Sequence, residues 1–423
     1  MPHTPDIPRV VVSNGSYRFH LSTLAAELSR SGHLAALITG GYPKGFWKRS
    51  LEAIPLAGIR RLLDRREELP DALVSACNTA EIWFKTGDLL FGKYWPDAQH
   101  RLHRYAFSQY AAHASRRMEK MDYHIYHYRN CFGGVAAQKA RAIGRKTLCD
   151  HSIGHPYAVS WIRRQMAATI PSHLTPQPLN ILEQQYLEDF THADHFLVNS
   201  DFVKSTFVAS GIDASKVSVV YWGVDSSFLR ASDEAMKGWP ARRPSSDLLF
   251  CGGFGHRKGA FELMEALDCL DDKPWTLTVA GGIEPEVLYR WSQFIQRHKD
   301  RITFLGFMPR DVLAHTLSSF RTFVFPSLME GSARVVFEAL ASGCYVITTP
   351  QAGSVVEDGI HGKLTSPGSV KSLTEAIQAT CLSGFDEMAS EMGKRNAIWV
   401  REMYRPEQYA ARVVSVYEKM LDN

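Results

Sequence analysis

The sequence contains no run of about 18 apolar residues, the length a membrane-spanning helix needs. Met1 to Pro8 is polar and proline-rich, without the basic stretch and apolar core of a secretory leader. A cytoplasmic protein is expected, at most resting on the inner face of the membrane. Cys77, Cys131, Cys149, Cys251, Cys269, Cys344 and Cys381 stand far apart, odd in number and without metal-like spacing. Free, mostly buried thiols follow. No Asp-x-Asp pair occurs, so no metal site and no resident cofactor is expected. Short-period repeats and low-complexity tracts are missing too, which sets aside solenoids and disordered linkers. The formal net charge of +4 is too small to argue for nucleic acid.

What is present fits a packed two-domain chain. The 423 residues exceed one ordinary core and suggest two domains of roughly 200 residues. Val-, Ile- and Leu-rich runs alternate with helical patterns: a strand at Val10 to Ser13, a helix near Leu21 to Ser31 and a strand at Leu34 to Thr39. Further strands are expected at Tyr123 to Tyr128, Thr147 to Asp150, His195 to Asn199 and Val217 to Tyr221. A second series follows at Leu248 to Cys251, Thr276 to Ala280, Ile302 to Leu305, Thr322 to Pro326 and Tyr345 to Thr349. Strands alternating with helices predict α/β architecture: two Rossmann-like domains, each with a parallel sheet, facing across a cleft. The expected division is 1–225, with an irregular, aromatic-rich and basic insertion at about 42–120, a linker at 226–247 around Gly238, Pro240 and Pro244, and a second domain at 248–400. Residues 401–423 have helical apolar spacing and are expected to cap a domain by packing back on the first.

Charge is uneven along the chain. Residues 44–66 hold Lys44, Lys48, Arg49, Arg60, Arg61, Arg65 and Arg66 against Glu52 and Asp64, seven minus two giving +5, interleaved with Phe46, Trp47 and aliphatics. Such a mixture suits an anionic membrane surface or a charged acceptor, or else a solvated helix packing its leucines on the first domain.

The window Pro326 to Gly343 reads as loop and helix after the apolar strand TFVFP. Ser332 is the expected cap, Val335, Val336, Ala339 and Leu340 the buried stripe, and Gly343 the C-terminal stop. Free N–H groups of residues 332–335 then face the strand mouth with the positive end of the helix dipole, a natural seat for phosphate. Glu330 precedes that start and Glu338 follows two turns in, and carboxylates accept paired hydroxyl hydrogen bonds. Spacing alone would equally fit a capping charge and a surface group. Lys258, in a loop between strand and helix (FCGGFGHRKGAFEL), stands where phosphate charge would be neutralised.

PSLMEGSARVVFEALASGCYVI, then EDGIHGKL at Glu357 to Leu364, resembles the signature of the retaining glycosyltransferases of GT-B fold with an E-x7-E motif, called family 4 or group 1. Asn199 to Asp225 (NSDFVKSTFVASGIDASKVSVVYWGVD) is similar to the segment that ends the first domain in that family. The resemblance implies transfer of a sugar from a nucleotide diphosphate sugar to an acceptor hydroxyl with retained configuration. It implies Glu330 at the donor sugar, Glu338 at the ribose and Lys258 at the pyrophosphate, with Gly331, Ser332, Ala333, Arg334 and Val335 around the helix start. Gly253 and Phe307 belong to loops beside the donor, Phe307 near a uridine, guanosine or adenosine base. Gly15, in the turn SNGSYRFH, offers close backbone approach to the donor. In TLCDHSIGHPYA either His151 or His155 is expected beside the reacting carbon, with His155 preferred because it matches a D-x-G-S-x-H variant, while His151 stands nearer the strand end.

Two departures bear on the donor. Gly252-Gly253 stands where the family has Gly-Arg, and Arg257 or Arg334 is the expected substitute cation. Ala333 replaces a frequent glycine of the E-G-F-G form; apart from the donor, Tyr345 replaces a usual proline. The acceptor, a glycan or lipid-linked glycan of a polysaccharide or glycoconjugate pathway, is expected at residues 42–120, where FGKYWPDAQHRLHRYAF offers aromatic faces and basic groups. The main alternative is a non-catalytic relative that binds nucleotide sugar or glycan as a partner subunit. A dinucleotide-dependent oxidoreductase is set aside because GGFGHRKG lacks G-x-G-x-x-G spacing and the next strand ends without a ribose-binding acid. A phosphorylase or epimerase shares the architecture.

Overall fold

The computed structural model describes residues 7–16, 19–44, 63, 66–92, 94–165, 169–239 and 241–422. Of the basic stretch 44–66, all but Lys44, Leu63 and Arg66 lies outside the described residues.

Two parallel sheets organise the chain. In the first, β1 (Val10–Gly15), β2 (Leu34–Thr39), β3 (Val74–Ala76), β4 (Ile125–Arg129), β5 (Lys146–His151), β6 (His195–Val198) and β7 (Val217–Val219) run in the order β3-β2-β1-β4-β5-β6-β7. In the second, β8 (Asp247–Cys251), β9 (Thr276–Ala280), β10 (Ile302–Gly306), β11 (Thr322–Phe325), β12 (Tyr345–Thr348) and β13 (Gly362–Leu364) run β10-β9-β8-β11-β12-β13. Helices cover both faces, so central strands are buried on both sides rather than on alternate residues; all six residues of β1 are buried. Each order reverses beside its first strand, at β1/β4 and at β8/β11, and a crevice opens there beyond the carboxyl ends. The molecule is thus an α/β protein of two Rossmann-like domains, the GT-B arrangement.

β3 and β13 escape the sequence reading because three residues carry no measurable periodicity. A larger correction concerns residues 78–118, read as irregular: they form the helices Asn78–Phe91 and Pro96–Met118. In the longer one the buried stripe (Ala106, Phe107, Tyr110, Ala111, Ala114, Ser115, Met118) has helical spacing but is confined to its C-terminal half. Polar and basic residues fill the other half and mask the period. Tyr110 fixes this helix to the first sheet: its hydroxyl donates to the Ile38 carbonyl at 2.8 Å and accepts from Gly15 N at 3.1 Å.

Residues 226–235, inside the stretch expected to be a linker, are a helix, Ser226–Ala235. Asp225 caps it by accepting from Phe228 N at 2.9 Å, and Phe228 and Leu229 join the core of the second domain. The linker reading rested on glycine and prolines that follow this helix. The final helix, Pro406–Asp422, crosses back: Tyr409, Val413 and Tyr417 share a core with Leu21, Leu24 and Leu28 of the helix His20–Arg30. Burying such side chains stabilises by about 1.5–3 kcal/mol each. All seven cysteines are free, five of them buried.

Candidate functional site

At the β8/β11 switch two loops are stitched together. After β8 the chain makes a 3-10 turn, His256–Lys258; after β11 it runs through Ser327 to Ala333. Leu328 N donates to the Arg257 carbonyl at 2.9 Å, and Arg257 Nη1 to the Met329 carbonyl at 2.7 Å. This pairing brings Arg257 Nη1 to 2.7 Å and Lys258 Nζ to 3.6 Å from Glu330 Oε1. Glu330 N and Ala333 N are taken by the carbonyls of Gln351 and Ala352 at 2.8 and 2.9 Å, which pulls the loop onto the turn Pro350–Ala352.

Ser332 is therefore not the cap. The helix begins at Arg334, after Ala333, and no side chain caps its first turn. The uncapped helix start keeps its dipole available to an anion, as the motif required, one residue later than the sequence suggested. Gly343 ends it in the left-handed region at φ 77°, as expected.

A cavity of about 360 Å³ opens at this point, lined by Gly253, Lys258, Phe307, Arg310, Glu330, Ser332, Ala333, Arg334, Val335 and Glu338 among others. Glu338 is only 5% exposed, and its Oε1 accepts from Arg310 Nη2 at 2.6 Å. Burial pushes its carboxyl above the usual range, with Arg310 and Arg334 opposing. Arg310 is the residue the sequence reading missed. Its Nη2 also lies 2.6 Å from Asp225 Oδ2, so one guanidinium joins two carboxylates. The available signal was weak: an arginine three residues past Phe307, at the start of the helix Arg310–Ser319. Lysine, two arginines and a helix start thus face two carboxylates, with the 89% exposed ring of Phe307 at the cavity wall. The arrangement suits a ligand with an anionic centre and hydroxyl groups on either side of it.

Three expected residues lie elsewhere. Arg257 reaches the cavity only through Glu330. Gly331 forms the seam between domains: a β-carbon there would sit 1.8 Å from the Ser152 carbonyl oxygen, and Ser200 Oγ donates to the Gly331 carbonyl at 2.5 Å. Gly15, at φ 77°, has its open side filled by the Phe132 ring, 2.5 Å from where a β-carbon would be. The close approach it permits is to that ring.

The first domain holds a second cavity, of about 260 Å³, at its β1/β4 switch, lined by Ser16, Phe19, Phe84, Phe107, Arg129, Asp150, His151 and Tyr186 among others. His151 ends β5, with Nδ1 at 2.8 Å from Asn130 Nδ2 and Nε2 at 3.3 Å from the Gly154 carbonyl. His155 lies behind it, its ring packed on Tyr157, Phe190 and Phe207. Burial lowers His151 to about 4 and His155 to about 3, so both are neutral at pH 7. Asp150 accepts from His20 Nε2 at 2.9 Å and has His127 Nε2 at 3.6 Å. Burial opposes its charge, yet the two imidazoles hold the carboxyl well below its ordinary range. His127 also meets the Tyr417 hydroxyl through Nδ1 at 2.7 Å, and His124 Nδ1 accepts from Arg9 N at 3.0 Å, structural parts for both. His20 stacks on Trp222 at 4.0 Å, facing the gap between domains.

Comparison with known proteins adds to this geometry. A model described as Glycosyltransferase Family 4 matches residues 19–228, and one described as Glycosyl transferases group 1 matches residues 245–382. Spore coat protein SA of Bacillus subtilis is 28% identical over 243 residues, 52% of this chain and 63% of that protein, so the match spans less than two thirds of the relative. A glycosyltransferase structure from Rickettsia africae aligns over 98% of this chain and 99% of its own, at TM-score 0.63 and 15% identity. Anabaena Alr3699/HepE, solved in complex with UDP, aligns over 97% of this chain and 100% of its own at TM-score 0.61 and 16% identity. At such identities these structures speak for the fold alone.

Proposed function

The chain belongs to the family 4, group 1 glycosyltransferases, and from that premise we propose that it moves a sugar from a nucleotide diphosphate sugar to an acceptor hydroxyl with retention of configuration. One observation carries the reading: Lys258, Glu330, Glu338 and the uncapped start of the helix Arg334–Ala341 converge on one cavity at the switch point of the second sheet. Glu338 holds the ribose hydroxyls and Arg310 fixes its carboxylate. Lys258, Arg334 and the helix start receive the diphosphate and stabilise its departing charge without a dedicated metal ion. Glu330, oriented by Arg257, faces the donor sugar. Arg310 and Arg334 stand in for the arginine missing at Gly253. His151, which lines the first-domain cavity as His155 does not, is the histidine beside the reacting sugar. The acceptor hydroxyl attacks on the face the diphosphate leaves, and a phosphate oxygen takes its proton. Alr3699/HepE was also solved with UDP-glucose, which supports a nucleotide sugar as donor.

The acceptor is a glycan or lipid-linked glycan in polysaccharide or glycoconjugate assembly. Supporting it, the tip of the two helices 78–118 exposes Leu89 (85%), Tyr94 (73%) and Trp95 (62%) near Lys85 and Arg101, a surface suited to peripheral contact with an anionic membrane at its cytoplasmic face. Among the described residues no helix is long and apolar enough to cross a membrane.

Incubation with UDP-, GDP- and ADP-sugars and lipid-linked acceptors, with release of nucleotide diphosphate and the anomeric configuration of the product followed by NMR, tests this reading. Release with a retained anomer is expected; an inverted anomer contradicts it. The glycine at 253 favours a second reading, a binding subunit without turnover, which predicts nucleotide-sugar binding and no release with any acceptor.

A further inference from the structure

The first-domain cavity holds one cation, Arg129, that makes no ion pair among the described residues. Arg129 ends β4 and lines this cavity, with its guanidinium 3.1 Å from the centroid of the Phe19 ring. Its Nη1 is buried and has no hydrogen-bond partner. Among the described residues no carboxylate lies within ion-pair distance of it. Asp150, its register neighbour on β5, is already held by His20 and His127. Asn130, the next residue, is spent on His151 and on Cys131 N at 2.6 Å. The remaining walls hold five aromatic rings, Phe19, Phe84, Phe107, Phe132 and Tyr186, and a second carboxylate, Asp88, which has His103 Nε2 at 3.0 Å.

A guanidinium with one buried, unpaired N–H is costly and cannot shed its proton as lysine or histidine would. Aromatic walls offset part of that cost through the ring faces but satisfy no N–H group. The geometry is completed by an oxyanion delivered with a ligand, and the aromatic walls match the faces of a sugar ring or short apolar stem.

We propose that Arg129 selects the acceptor by binding an oxyanion on it, a phosphate or a carboxylate, inside the first-domain cavity. This inference rests on the transferase reading above for the word acceptor, and on Arg129 alone for the anion. A phosphorylated sugar and an acidic sugar share the chemistry, and separate arms of the test distinguish them.

The test is calorimetric titration of wild type, Arg129→Gln, Arg129→Lys and Lys258→Ala with glucose 6-phosphate, glucuronate, inorganic phosphate and glucose, each protein also titrated with UDP, GDP and ADP. Glucose 6-phosphate or glucuronate is expected to bind wild type at least 10-fold tighter than glucose, equally well in Lys258→Ala, and at least 10-fold more weakly in Arg129→Gln, about the worth of a charge-assisted hydrogen bond. Arg129→Lys, which keeps the charge and guards against a folding defect in the glutamine variant, is expected between the two. Nucleotide affinity is expected to be unchanged in Arg129→Gln. The inference is overturned if both anionic sugars bind wild type no tighter than glucose, if Arg129→Gln leaves their affinity unchanged, or if Lys258→Ala is the variant that loses them, which puts the anion in the second-domain cavity. Failure of wild type to bind any nucleotide would count against the transferase reading while leaving the Arg129 comparison readable.

Discussion

The two cavities occupy the same topological place, the switch point of a doubly wound sheet, and are built in different ways. In the second domain the site comes from backbone turns: a 3-10 turn with Lys258, a loop pinned by Gln351 and Ala352, and a helix start at Arg334. Its cations and carboxylates alternate at ion-pair distances of 2.6 to 3.6 Å. In the first domain the site is assembled by side chains from Phe19 to Tyr186, with aromatic walls, one unpaired guanidinium and an ionised Asp150 between two imidazoles. A site made by local turns takes charged ligands through fixed dipoles and short ion pairs. A site made by distant side chains owes its selectivity to the few polar groups it buries.

The largest expected effect lies in the charged cavity. Lys258→Ala should lower kcat by about 10²–10³-fold, the usual cost of removing one group that stabilises departing charge, with little change in thermal stability because Lys258 anchors no core. Steady-state release of nucleotide diphosphate checks it; an effect confined to KM would move the lysine from charge stabilisation to simple binding.

Breaking the seam between the two regions comes next. Gly331→Val puts a side chain where the Ser152 carbonyl oxygen lies 1.8 Å from the β-carbon position. The domains must shift, at about 1–3 kcal/mol of stability by analogy with overpacked cores, and donor turnover should fall with it. A melt and a turnover assay on the same sample read both; unchanged values in both would mean the seam is not held closed in solution.

Acid separates the regions by a different route. His151 and His155 have folded values of about 4 and about 3, below the 6.5 of an unfolded histidine. The unfolded chain therefore binds more protons, so the stability they contribute is complete above pH 6.5 and is lost as pH falls toward 4. Asp150, held below its ordinary value, adds its own loss only below about pH 4. Melting temperature against pH should fall through the first window, and His151→Asn should flatten part of that fall. An unaltered slope would show that His151 is already protonated or exposed in the folded protein.

The smallest effect belongs to the surface. Trp95→Glu should weaken binding to vesicles containing anionic lipid by a few-fold while leaving nucleotide affinity alone, as vesicle co-sedimentation would show. Equal binding by both proteins would remove this tip from the membrane contact.

The same contrast explains what the sequence disclosed. Both sheets were legible because buried parallel strands carry short apolar runs, such as VVV in β1 and FVF in β11, punctuated by turns. Glu330, Glu338 and Lys258 were legible because they sit at fixed offsets from a strand end and a helix start. Arg310 was not, since its relation to Glu338 spans 28 residues and depends on how two helices pack. Arg129 was not, since an arginine ending a strand looks like an ordinary surface residue until the ring of Phe19 and the missing partner are seen. The helices at 78–118 were hidden because the buried stripe of the longer one is confined to its C-terminal half and polar and basic residues fill the other. His151 and His155 were both in view; both pack on Phe190 and Phe207, and only the cavity, which His151 lines and His155 does not, separates them.

The measurement that tests the central claim most directly is calorimetric binding of UDP, GDP and ADP to wild type and to Glu338→Ala. The account predicts that one nucleotide binds in the micromolar range and that the substitution weakens it by about 10-fold or more, the worth of a lost hydrogen bond to a charged group. Binding unaffected by the substitution, or no binding of any of the three, would contradict a nucleotide-sugar site built on Glu338.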